Sequence, residues 1–161
     1  MRPADVVEVL AALEAAAVRY FLVGGWGVDA LLGHQTRRHD DLDVVLDRFD
    51  EAAELARAAL HPLGYDLARR ERADVALPDR LFLTDGGGRS VDLVSIDLER
   101  LGPVLAAMGA NTEKDQLFTT GTVDGQTVAC VSASLQRALR AGFPPRPVDR
   151  HDLRVLSRRR A

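Results

Sequence analysis

Two aspartates one residue apart, Asp41 and Asp43, stand in the run Arg37-Arg38-His39-Asp40-Asp41-Leu42-Asp43-Val44-Val45-Leu46. Side chains alternate along an extended strand, so Asp41 and Asp43 project from one face while Leu42 and Val44 point into a core. Two carboxylates held this close repel, and the arrangement costs stability unless a cation joins them. Mg²⁺ suits the pair, because it prefers oxygen ligands and commonly combines one or two carboxylates with substrate phosphates. A third acid, Asp92, lies inside the apolar run Ser90-Val91-Asp92-Leu93-Val94. A charge there is expensive unless it is paired, metal-bound or facing a cleft. If the two strands are neighbours, the three acids converge as the minimum apparatus for phosphoryl transfer. A cation orients the polyphosphate, and one carboxylate takes the proton of an attacking hydroxyl. Taken separately, each has a plainer reading: a solvated strand edge for the pair, and a carboxylate satisfied by an arginine for Asp92.

Upstream, Gly24-Gly25 follows the buried run Tyr20-Phe21-Leu22-Val23 and precedes a short helix. Glycine lets a backbone approach phosphate closely, and a helix N-terminus offers free N–H groups and a positive dipole end. A simple strand-to-helix turn uses the same residues, so the glycines gain meaning only beside the acids. Neither a dinucleotide-binding fingerprint nor a P-loop fits, since the glycine spacing is wrong and no Gly-Lys-Ser/Thr follows. Arg37 is a candidate to grip a phosphate or the departing pyrophosphate, with a charge-balancing surface arginine as the alternative. His39, two residues before Asp41, is expected to contact phosphate or a supporting carboxylate rather than the metal. No Cys/His cluster has zinc spacing, and the four histidines are scattered with no Ser/His/Asp motif.

These side chains need a scaffold, and hydrophobic spacing outlines one. Residues 4–19 read as an alanine-rich helix, 20–23 as a buried strand, and 26–32 as a short helix stopped by Gly33. The acidic strand spans 41–46, and a helix capped by Asp50 runs to Leu60. Strands are expected at 64–70, 80–84 and 90–96, with turns at Pro78-Asp79 and Asp85-Gly86-Gly87-Gly88. A helix over 98–108 has its start in question at Gly102-Pro103. Strands 118–123 and 127–131 flank the hairpin signal Asp124-Gly125. Residues 132–141 form a serine-capped helix, Pro144 to Pro147 a stiff linker, and 151–157 a last helix. The alternation indicates an α/β (α+β) domain with a mixed central sheet flanked by helices, closing on a hairpin and helices.

At 161 residues the chain fits a single domain, 1–161. No apolar run is long enough to span a bilayer, and Asp5, Glu8 and Glu14 argue against a secretory signal. The lone Cys130, in an apolar stretch, reads as a buried thiol, and the expected compartment is cytoplasmic. The net charge of −3 gives no reason to expect nucleic acid as a partner. It is unevenly spread. Residues 131–161 hold eight arginines against Asp149 and Asp152, a net +6 that leaves −9 for the rest. The basic helical segment 144–161 is either a solvated helix end or a surface facing a polyphosphate or a second subunit.

Gly24-Gly25-Trp26-Gly27-Val28-Asp29-Ala30-Leu31, followed by Gln35-Thr36-Arg37-Arg38-His39-Asp40-Asp41-Leu42-Asp43, resembles the antibiotic-modifying nucleotidyltransferases. These are the lincosamide and aminoglycoside enzymes of the DNA polymerase β superfamily. Gly121 to Val128 with Cys130-Val131-Ser132 resembles their hairpin and helix start. Arg140-Ala141-Gly142-Phe143 and Asp149-Arg150-His151-Asp152-Leu153 resemble their C-terminal His-x-Gly-Tyr and Asp-x-x-Asp-Leu segments, with Arg140 and Phe143 in place of the histidine and tyrosine.

The resemblance implies a nucleotidyltransferase fold. It implies that Asp41 and Asp43 bind Mg²⁺, one ion or two, and that Gly24 and Gly25 lie against a triphosphate with Arg37 nearby. His39 joins these as a nucleotide-site residue, and Asp92 would be the general base. The expected reaction moves an NMP from an NTP, ATP or another, to a hydroxyl of a small antibiotic-like acceptor, an aminoglycoside or a lincosamide. Two alternatives keep the fold: a protein-nucleotidylating, antitoxin-like enzyme, and a non-catalytic nucleotide-binding protein. A homodimer is expected, because so small a domain has little surface to enclose an acceptor and such sites favour interfaces.

Overall fold

The computed structural model describes residues 1–72, 78–107, 109, 114–141 and 144–158. Helix α1 (Pro3–Ala15) opens with proline at its first position and Asp5 in its first turn, whose carboxylate accepts the Arg2 backbone N–H at 2.7 Å. Val6, Val9, Leu10 and Leu13 fall on its buried face at helical spacing. The helix stops four residues earlier than the alanine-rich run suggested, because Ala17 takes a left-handed φ of 56° and turns the chain into strand β1 (Tyr20–Leu22).

Helix α2 (Gly24–Leu32) begins at the glycines themselves rather than after them, and Gly33 ends it with φ 75°, as expected. Strand β2 (Asp41–Leu46) has the expected bounds. Helix α3 (Phe49–Leu60) has Arg48, at φ 56°, in its N-cap position, so Asp50 lies in the first turn instead of capping it. One 3₁₀ turn, His61–Leu63, delays strand β3 to Asp66–Glu71. Strands β4 (Arg80–Thr84) and β5 (Ser90–Val94) follow; Ser95 and Ile96 lie beyond the strand. Helix α4 (Leu98–Ala107) accommodates Gly102-Pro103 in its interior, and its expected end at Met108 lies outside the described residues.

A short helix that the spacing did not indicate, α5 (Lys114–Leu117), leads into the hairpin β6 (Phe118–Val123) and β7 (Gln126–Val131). Asp124 and Gly125 have φ 50° and 77°, the two positive angles that such a tight turn requires. Helix α6 (Ala133–Ala141) is capped by Ser132, whose Oγ accepts the Leu135 N–H at 3.4 Å. Helix α7 (Pro147–Arg158) starts at Pro147, so the linker is shorter and the last helix longer than the spacing suggested. No helix among the described residues is long and apolar enough to cross a membrane.

The strands form one seven-stranded mixed sheet in the order β3-β4-β5-β2-β1-β7-β6. Strands β2 and β5 are parallel neighbours, as are β1 and β7; the other pairs run antiparallel. Leu22, Leu42, Val44, Leu46, Leu81, Leu83, Val91 and Leu93 belong to the main core. The alternate positions Val23 and Val45 join a second, smaller core with Leu105, Leu117, Val131, Leu135 and Ala138. The second core covers only part of its face. The uncovered part is where the acids emerge.

Candidate active site

Parallel pairing of β2 and β5 sets Asp41 opposite Ser90 and Asp43 opposite Asp92. Because alternate residues share a face, Asp41, Asp43 and Asp92 all leave the sheet on the side away from Leu42, Val44, Val91 and Leu93. Each acid offers an oxygen within 4.8 Å of those of the other two. Asp41 is exposed, Asp43 half-buried and Asp92 buried. The donor set therefore fits a hard divalent cation, with all ligands oxygen and one side open.

Crowding shows in the protonation equilibria. Asp43 is pushed up to about 7, first by burial and then by the charges of Asp41 and Asp92, with Arg80 and Arg140 pulling the other way. Asp92 is pushed up to about 6, again by burial first, although Arg80 opposes it. Arg80 Nη2 donates to Asp92 Oδ2 at 2.8 Å and lies 3.6 Å from Asp43 Oδ1. Arg146, just before α7, holds its proton more firmly chiefly through Asp149, with smaller contributions from the charges of Asp41 and Asp43.

The first turn of α2 lies against the same cluster. Gly24 has φ 65°, and a Cβ there would overlap the Asp43 carboxylate. A Cβ on Gly25 would strike the His39 ring at Nδ1 and the Arg37 guanidinium. These glycines are required by the chain's own side chains. Val23 provides no side-chain cap, and the first N–H groups of α2 have no partner within the helix.

His39 is buried, and its Nε2 is 2.5 Å from Asp29 Oδ2. The other Asp29 oxygen accepts the N–H and hydroxyl of Thr36 at 3.0 and 2.6 Å. The His39 ring packs tilted on Trp26 at 4.7 Å. Its supporting carboxylate is therefore Asp29, and the set pins the segment before β2 onto α2. Arg37 donates through Nε and Nη2 to Asp152 Oδ1 and Oδ2, at 2.8 and 3.0 Å. Asp152 is buried on α7 and also accepts Arg140 Nη2 at 3.2 Å. Arg140 Nη1 donates in turn to Gln136 Oε1 at 2.5 Å. A buried carboxylate with two guanidinium donors thereby ties α6, α7 and the Arg37 segment together beside Gly25.

Residues 5–156 match the family model for aminoglycoside-2''-adenylyltransferase. The chain belongs to this family. A lincosamide resistance protein of Staphylococcus haemolyticus is 26% identical over 155 residues, covering 94% of this chain and 92% of the relative. The lincomycin-bound crystal structure of the lincosamide antibiotic adenylyltransferase LnuA superposes with a TM-score of 0.67 at 24% identity, covering 94% of each chain. The crystal structure of ANT(2'')-Ia in complex with adenylyl-2''-tobramycin superposes with a TM-score of 0.67 at 19% identity, covering 97% of this chain and 87% of that one. The expected nucleotidyltransferase fold and enzyme class are thus both met.

Within this adenylyltransferase-family chain, the predicted acids converge and the predicted glycines adjoin them. Arg37 and His39 line the layer behind Gly25, each bonded to an acid that spacing did not single out. Asp29 carried one visible signal, a carboxylate in the otherwise apolar Trp26 to Leu32. Arg80 carried none, because the first residue of a strand is an ordinary place for arginine. Phe143 lies outside the described residues. A cavity of about 400 Å³, lined by Glu54, Arg57, His61, Tyr65 and neighbours, includes none of the three acids.

Proposed function

We propose that this chain transfers an NMP from an NTP to a hydroxyl group of an aminoglycoside or lincosamide, in an Mg²⁺-dependent reaction. The observation that carries the reading is the Asp43–Asp92 register, which gathers three carboxylates beside the N-terminus of α2. ATP is the first donor to test, because the family and LnuA are named as adenylyltransferases and ANT(2'')-Ia is described in complex with adenylyl-2''-tobramycin.

In this mechanism Asp41 and Asp43 would hold the Mg²⁺. The bound ion would supply positive charge to offset the triphosphate and the departing pyrophosphate. Asp92 accepts the proton of the acceptor hydroxyl as its oxygen bonds to the α-phosphorus. The bond between the α-phosphorus and the bridging oxygen breaks, and pyrophosphate leaves with the electron pair. The raised affinity of Asp92 for a proton suits a base that must accept one near neutral pH. The first N–H groups of α2, at Gly24 and Gly25, bind phosphate oxygens at the positive end of the helix dipole. Arg37, oriented by Asp152, adds positive charge on the Gly25 side, and His39 fixes the loop that carries Arg37.

The test incubates the purified chain with each NTP, Mg²⁺ and a panel of aminoglycosides and lincosamides. The expected product is heavier than its acceptor by one nucleotidyl group. No adduct on any member of the panel would remove the antibiotic as acceptor.

A further inference from the structure

Arg80 is not among the residues by which the acidic cluster is recognised, yet it is bonded to it. Its Nη2 donates to Asp92 at 2.8 Å and stands 3.6 Å from Asp43, on the edge that these two acids share. The sheet holds it there. Phe82 pairs directly with Asp92 across β4 and β5, and Arg80 lies two residues before Phe82 on the same face. The Arg80 guanidinium carbon is 4.8 Å from the centre of the Phe82 ring, and that of Arg69 is 4.0 Å from it. Arg80 Nε is enclosed and has no hydrogen-bond partner.

We infer that Arg80 is a resident counter-cation on the Asp92–Asp43 edge and makes loading of the divalent metal conditional on nucleotide. The inference rests on the metal-dependent reading above. A guanidinium and a divalent ion on one carboxylate edge repel each other, so a metal arriving alone must compete with a charge already fixed in place. A metal arriving with a triphosphate brings its own negative charge, which lowers that repulsion. The triphosphate also supplies oxygens to which the partly exposed end of the Arg80 guanidinium can donate. Arg80 is thus a positioning residue. It keeps the acids compensated between turnovers and admits the metal together with its substrate.

The test measures Mn²⁺ binding by electron paramagnetic resonance on the full chain, with and without a non-hydrolysable ATP analogue. Arg80→Gln is expected to bind Mn²⁺ without nucleotide at least about tenfold more tightly than the wild type, as removal of a competing charge requires. Arg80→Lys should bind weakly, like the wild type. With the analogue present, the wild type and Arg80→Gln should converge. Arg80→Met, a second neutral variant, repeats the test should glutamine disturb β4. Equal Mn²⁺ affinities without nucleotide, with binding by both when the analogue is present, would overturn the role of Arg80 and leave the metal site standing. Weaker binding in both neutral variants would make Arg80 a structural support and also overturn it. Absence of Mn²⁺ binding in every condition would overturn both the inference and the metal-dependent reading beneath it.

Discussion

Asp43→Asn should destroy transfer and yet stabilise the metal-free protein. Asp43 shifts from an ordinary 3.8 to about 7, chiefly through burial and then through Asp41 and Asp92. At about 1.4 kcal/mol per tenfold change in proton affinity, that is about 4 kcal/mol of charge burden in the folded state. The side chain is still 24% exposed, and solvent screens its charge, so about 2 kcal/mol is the better expectation. The sign follows from the direction of the shift. Below pH 3.8 the acid is neutral in both states and nothing is lost. As pH rises toward 7 the unfolded state is ionised while the folded state resists, and stability falls. Asparagine keeps the shape and removes the charge. Thermal melting in chelator at pH 8 should therefore place the variant about 4–8 °C above the wild type, for a chain of this size. The gap should shrink at pH 5. A variant that melts at or below the wild type at pH 8, or a gap that does not widen with pH, would refute the account of a strained acidic cluster.

Three further outcomes are expected. Gly24→Ala places a methyl group in the Asp43 carboxylate at a left-handed backbone position, costing about 1–3 kcal/mol; differential scanning calorimetry with and without Mg²⁺ and nucleotide should show both a lower melting temperature and a lost ligand-induced rise. Asp152→Ala leaves Arg37 and Arg140 without their shared buried acceptor; breaking such a set costs about 3–5 kcal/mol, read as a lower urea midpoint, and should raise the KM for NTP more than it lowers kcat. The proposed homodimer, its second subunit helping to wall the acceptor site, predicts a two-chain mass by light scattering at micromolar concentration, and a monomer mass there would remove it.

What the sequence makes legible follows from which interactions are local. Alternation of Asp41, Leu42, Asp43 and Val44 assigns faces within one strand, and Asp124-Gly125 specifies a turn, because both depend on neighbouring residues alone. Helix starts are not legible where backbone angles depend on the tertiary setting. Arg48 takes a left-handed φ ahead of α3, and α2 begins at Gly24, where only glycine clears Asp43. Charge balance is harder still to read, since Arg37 meets Asp152 from 115 residues away and Arg80 meets Asp92 across a strand pair. Nothing near Arg80 in the chain announces that pairing.

The glycines serve the chain before they serve any ligand. In the sequence, Gly24-Gly25 points toward a phosphate, because a bare backbone permits close approach. In the folded chain the close approach is already made by Asp43, His39 and Arg37, so the protein needs both glycines before any nucleotide arrives. Their presence is therefore not independent support for a triphosphate. What points to nucleotide is the feature that remains costly in the chain by itself: three carboxylates on adjacent strands, two of them displaced toward neutrality despite a bonded arginine. A fold selected only for stability would replace at least one of them with a neutral side chain, so their joint retention is what a catalytic use of the site has to explain.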